Sequence, residues 1–356
     1  METVRFQRAV TDVGHALLSK IIDEILREKE ATRNAVALAT GASATSVRKV
    51  FSALSLCGFT EEVCRPQKNG AKPCGHLYLK ETASVLVLDL SAPIYGIALI
   101  GSDCRCIFYE QFVYDRNATF YDNLIILLSR ARLLLKKSHT SFSAIGVICS
   151  DRALTSIHTI DPALPNVSQH KEELDALIRK MFGVTPTLYA ELSEAFGCAL
   201  RYNLLPTSSG ACNSAYVFLG SELYALGLPD GRNPIPIRLS GLMPTSTAQL
   251  QDHSQDLSSK YGISNILWRT VNLLECMMRV DLLVVESDHE KFDVSSLSSI
   301  RKILSIMGLP EPNLIARAKA PSIAATALSR ACIADLMLRH LTPTSKPEKE
   351  EGLSKQ

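Results

Sequence analysis

Apolar residues recur at helical spacing over residues 15–29, "HALLSKIIDEILREK": Leu17, Leu18, Ile21, Ile22 and Ile25 share one face with the charges opposite, which predicts an amphipathic helix. A second, short helix is predicted over "RNAVALAT", capped by Thr32, with Val36 and Leu38 facing inward. Gly41 stops it, being free to adopt positive φ. A third helix opens with Ser43 as N-cap, buries Val47, Val50, Phe51 and Leu54, and ends at Gly58. Two strands, "FTEEVC" and "HLYLK", then flank the loop "RPQKNGAKPCG", which carries Pro, Gly and several cations.

From residue 84 the pattern turns to β-rich runs, "SVLVLDLSAPIYGIALIGSDCRCIFYEQFVYD". An alternation follows: a helix at 119–137, the strand "FSAIGVIC", a helix at 171–182, the strand "TPTLYA" and a helix at 191–202. A second strand-rich block, "SAYVFLGSELYALGLPDGR", leads to helices at 257–279 and 294–307 around the strand "DLLVVES", then to a last helix over "PSIAATALSRACIADLMLRHL". The polar, Pro-containing tail 341–356 has nothing to bury and is expected to be disordered.

At 356 residues with 46% apolar content, the chain can bury a full core in two or three units. Its net charge of +2 is unevenly spread: residues 1–80 hold 12 Lys/Arg against 8 Asp/Glu, and the remaining 276 residues carry −2. The cationic excess therefore sits with the three predicted helices. No stretch approaches the roughly 18–20 apolar residues that cross a bilayer, and the N-terminus lacks the apolar core of a signal peptide. Ten Cys without regular spacing fit reduced, packed thiols, so a cytoplasmic protein without membrane contact is expected.

Around the third helix the chemistry is that of a DNA reader. Ser43, Ala44, Thr45, Ser46, Arg48 and Lys49 are small, hydrogen-bonding or basic and lie off the buried stripe, as a helix entering the major groove requires. Arg33, Arg65, Lys68 and Lys72 are placed to meet phosphates, and Glu61 and Glu62 to face away from them. Three helices and a basic hairpin make a winged helix-turn-helix over 1–80. Its other reading is a module for protein contacts.

Metal binding is a weaker reading. Cys64, Cys74 and His76 lack the paired spacing of structural zinc sites, and Cys104 and Cys106, two apart on a predicted strand, are read as core.

Two similar halves, each opening with antiparallel strands and continuing in alternation, look like the duplicated actin-like ATPase fold, an α/β two-lobed architecture with lobes at 84–205 and 206–340. With the winged helix in front, the chain resembles the ROK family of repressors and sugar kinases. The segments that carry the resemblance are "VLVLDLSAPIYGIALI", "AIGVICS", "YAELSEAFGCAL", "YVFLGSELYALGLPDG" and "GISNILWRTVNLLECMMRVDLLVVES".

The family's kinase chemistry is missing at each station. Its D-x-G-G-T phosphate turn reads Asp89, Leu90, Ser91, Ala92, Pro93; side chains block close approach and Pro93 lacks an N–H. Its G-T-G-x-G hairpin reads Gly220, Ser221, Glu222, Leu223, Tyr224, which sets a carboxylate where phosphates would sit. The E-N-D-A-N stretch holding the catalytic Asp reads Glu191, Leu192, Ser193, Glu194, Ala195, and the neutral Ser193 cannot act as that base. The zinc-signature region contains no Cys and the single His253, and the paired glycines after "LLVV" are Glu286 and Ser287.

The resemblance therefore implies a transcriptional regulator that binds a double-stranded DNA operator as a homodimer, with a body that is no enzyme and holds no cofactor or metal. Asp89, Glu191, Ser193 and Glu222 would line its effector cleft. Asp89 alone is read as a turn cap, and Glu191 with Glu194 as one solvated helix face. An active sugar kinase and a protein-binding scaffold are the alternatives.

Overall fold

The computed structural model describes residues 10, 13–28, 30–65, 74–80, 83–90, 94–149 except 114 and 116, 171–204 except 203, 213–219, 223–228, 235–237, 280, 282–287 and 322–342, with isolated positions between 298 and 306. The expected helix at 257–279, His253 and the tail lie outside the described residues.

Helix α1 (His15–Arg27) buries Leu18, Ile21, Ile22, Ile25 and Leu26. Strand β1 (Ala31–Thr32) leads to α2 (Arg33–Thr40), where Thr32 accepts a capping bond from the Ala35 N–H and Gly41 closes the helix at φ 68°. Helix α3 (Ala44–Leu56) follows, with Val47, Val50, Phe51, Ala53 and Leu54 buried. Strands β2 (Thr60–Arg65) and β3 (Cys74–Leu79) pair antiparallel, and β1 adds to β3 through Thr32 and His76, giving the order β1-β3-β2.

One inward expectation fails. Val36 is fully buried while Leu38 is 88% exposed, because residues two apart on a helix point about 200° apart and cannot share a face.

The next unit is a five-stranded sheet, β6-β5-β4-β7-β8, built from β4 (Ser84–Leu90), β5 (Ile94–Gly101), β6 (Cys106–Val113), β7 (Ala144–Cys149) and β8 (Leu188–Glu191). Strand β4 runs antiparallel to β5 and parallel to β7. Alternation sorts its residues between two cores: Leu86 and Leu88 join the core formed with α4 (Phe120–Ser138) and α5 (Lys171–Phe182), whereas Val85 and Val87 join the opposite one. Both faces are covered, which is why Val85–Leu88 is an unbroken apolar run.

Strands β9 (Ser214–Leu219), β10 (Leu223–Leu228), β11 (Ile235–Ile237) and β12 (Leu282–Ser287) form a second sheet in the order β11-β10-β9-β12, with β9 antiparallel to β10 and parallel to β12. In each sheet the first strand lies between the second and the fourth, so the same connectivity occurs twice. This is the actin-like duplication.

Helix α6 (Leu192–Arg201) sets Phe196 against Tyr216 of β9, ring centroids 4.3 Å apart. Helix α7 (Ile323–Leu341) is buried around most of its circumference and packs on β4, β7, α6 and α1. By sequence it follows the second sheet, but it covers the first.

The two cysteines read as one strand face do not share one. Cys104 lies in the β5–β6 turn at φ 67°, where its Sγ accepts a 2.8 Å bond from Arg330 Nε of α7, and Cys106 opens β6 exposed.

Candidate nucleic-acid interface

The interface is built on the N-terminal end of α3. Ser43 Oγ accepts from the Ser46 N–H at 3.1 Å, satisfying one of the free amides of the first turn. Ser46 Oγ lies 3.0 Å from Ser43 Oγ, so the two hydroxyls engage each other and the cap. Ala44, Thr45 and Arg48 are exposed, Lys49 is half-buried, and Val47 and Val50 anchor the opposite side. The exposed residues are small or hydroxyl-bearing, with a cation one turn in.

Arg33 is not free. Its Nη2 lies 2.5 Å from Glu62 Oε2, joining the start of α2 to β2, so Glu62 turns toward the cation expected to meet phosphate. The side chain of Arg65, along with Lys68 and Lys72, lies outside the described residues.

At the other end of the chain's functional map, β4, β7 and β8 bring their carboxyl ends to one edge. Leu90 pairs with Cys149 and Cys149 with Glu191, so Asp89 and Glu191 stand two strands apart on that edge, about 10 Å given ordinary strand spacing. Asp89 Oδ2 accepts from Ser322 Oγ at 3.4 Å, and the same Ser322 Oγ caps α7 by accepting from Ala325 N. Asp89 thus ties a strand end to the N-terminus of the last helix.

Glu191 ends β8 rather than lying within a helix, and its N–H donates to Glu194 Oε2 at 3.0 Å. The pair is a helix start, which corrects the reading of both as one solvated helix face. Leu192 and Ala195, at the stations of the family's two amides, are buried in the core. The backbone of Ser193 is helical, and Glu222 lies outside the described residues.

Sequence reasoning missed the junction between α1 and the body. Arg201 Nη2 contacts Asp23 Oδ2 at 2.6 Å, the Tyr202 hydroxyl donates to Asp23 Oδ1 at 3.2 Å, and Arg27 Nε donates to the Arg201 carbonyl at 3.1 Å. These residues are some 180 positions apart, and no local pattern announces them. Burial holds the Tyr202 phenol above its ordinary range, with Asp23 adding to the effect.

Among the described residues no group of three or more His, Cys, Asp or Glu can hold a metal ion, and no helix is long and apolar enough to cross a membrane. Burial raises the Cys57, Cys104, Cys106, Cys198 and Cys332 thiols above their ordinary value; Cys332 is buried in the core, whereas Cys106 is exposed.

Compared by sequence, the chain matches no protein-family model and no curated protein. Compared by structure, it is similar to a ROK family transcriptional regulator, a homolog of the E. coli MLC protein, at 12% identity and a TM-score of 0.61, over 92% of this chain and 99% of that one. Kinases are also found: an inorganic polyphosphate/ATP-glucomannokinase from Arthrobacter sp. strain KM (14% identity, TM-score 0.47, 71% of this chain and 99% of that one) and a ROK family glucokinase from Streptomyces griseus (12%, 0.45, 71% and 100%). The chain has the fold of the ROK regulator over nearly its whole length. At this identity the likeness defines the fold and leaves the activity to be argued from residues.

Proposed function

We propose that the chain is a DNA-binding transcriptional regulator of ROK type, in which a winged helix at 1–80 reads an operator and two lobes at 84–205 and 206–340 provide dimerisation and an effector cleft without phosphoryl transfer. The supporting observation is α3: a helix anchored by Val47, Val50, Phe51 and Leu54 that leaves Ala44, Thr45 and Arg48 exposed beside its capped N-terminus. Thr45, Ser46, Arg48 and Lys49 face the bases, and Arg65, Lys68 and Lys72 the phosphates. A homodimer presents α3 twice and calls for a pseudo-palindromic site. Its place of action is the cytoplasm.

The body supports loss of catalysis by what stands at its stations. Leu192 and Ala195 point into the core where a sugar site needs amides, and Asp89 is bound to the cap of α7. An effector, if bound near Asp89, Glu191, Ser193 and Glu222, need not be a sugar.

The test is selection of bound duplexes from a random pool, followed by titration across salt. Arg48→Ala is expected to cost about 1–3 kcal/mol of specific binding. Lys68→Ala is expected to flatten the dependence of log K on log salt by about 0.9. Binding unchanged in both overturns the reading, and Mg-ATP turnover with a hexose acceptor replaces it with the kinase.

A further inference from the structure

Of the large apolar side chains exposed among the described residues, four lie on one helix, α4: Tyr121 (44%), Ile125 (38%), Ile126 (48%) and Leu133 (40%). The opposite face of α4 is fully used, with Leu124, Leu127, Leu128, Ala131 and Leu135 in the core. The exposed arc has Asp122 and Ser129 near its midline and the apolar side chains flanking them. Charge is segregated along it: Asp122 in the first turn, Arg132, Lys136 and Lys137 toward the end.

We propose that this face docks antiparallel against α4 of a second copy, about a twofold axis passing beside Ser129. The pattern is self-complementary only in that orientation. Positions 126 and 133 are equidistant from the axis and on the same flank, so Ile126 of each copy meets Leu133 of the other. Asp122 likewise meets Lys136 and Lys137, whereas parallel stacking would set like charges together. Ser129 at the crossing has a small side chain, which lets the helices approach to about 8–10 Å. Arg130 at the rim is already neutralised, its Nε 2.6 Å from Glu110 Oε1. This rests on the dimerisation part of the proposed function and names its surface.

The full chain is examined by sedimentation at tens of micromolar, with Cys64 and Cys106, both exposed, replaced by Ser throughout. Ile126→Lys and Leu133→Glu are each expected to shift the dimer to monomer, and the double variant to restore it, because the new ammonium and carboxylate face each other across the axis. Ser129→Cys is expected to crosslink between copies with a short bis-maleimide, whereas Tyr121→Cys, whose copies stand about 25 Å apart by helix rise, is not. A dimer that survives both single variants, or equal crosslinking at 129 and 121, overturns the surface and leaves dimerisation standing. A parent chain that is monomeric at every concentration overturns both.

Discussion

Arg201 Nη2 lies 2.6 Å from Asp23 Oδ2, so the last turn of α6 is held to α1 by a charged bond spanning most of the first half of the chain. Helix α6 begins at Leu192, next to Glu191 on the edge where the effector cleft is proposed, and ends at this contact. One helix therefore runs from the proposed cleft to α1, which packs with the helices that carry the proposed DNA-reading strip.

Asp23→Asn removes the charge and keeps the shape. Because Arg201 is more than half exposed, solvent screens the pair, and the expected loss is about 1 kcal/mol in urea unfolding. The difference from the parent should shrink in molar salt. A salt-independent loss would mean that packing, and not charge, holds the junction.

Glu62→Ala releases Arg33. With a cation freed beside the reading helix, duplex affinity is expected to rise about three- to tenfold at low salt, and the salt slope to steepen by about 0.9. Fluorescence anisotropy across a salt series measures both.

Alkaline pH should destabilise the protein early. Burial raises the thiols of Cys104, Cys198 and Cys332 and the phenols of Tyr189 and Tyr202 above their ordinary values. A group whose pKa is raised by folding contributes stability that is complete below its unfolded pKa and lost as pH rises through the folded one. Stability is therefore expected to decline from about pH 8.5, where unfolded thiols ionise, and faster from about pH 10, where tyrosines follow. Tyr202→Phe should reduce the slope above pH ~10 in chemical denaturation, at the cost of the bond to Asp23.

Gly146→Ala tests the seat of α7. A Cβ there would lie 2.9 Å from Leu328 Cδ2 and 3.1 Å from Cys332 Sγ, so the helix must shift or repack. The expected loss is about 1–3 kcal/mol, and Leu328→Val should relieve part of it in the double variant. Additive losses would show that α7 moves aside freely.

What the sequence disclosed follows the range of the interactions. Thr32, Ser43 and Gly41 do their work within three residues of themselves, and β4 shows itself as a strand in a short apolar run; all four were readable. Leu38 was misplaced because an eight-residue helix offers too few turns to define a stripe. Glu191 was assigned to a helix because the strand-to-helix boundary falls at that residue. The Arg33–Glu62 bond and the Asp23–Arg201 junction join distant segments, and α7, apolar around most of its circumference, gave no sign of which sheet it would cover.

The placement of α7 governs how the chain is made. Residues 323–341 must leave the ribosome before the face of β4 that they cover is shielded from water and before α1 gains its final support. A nascent chain halted short of them would leave that face of β4 and one side of α1 uncovered, so the first sheet is complete only once α7 has been made.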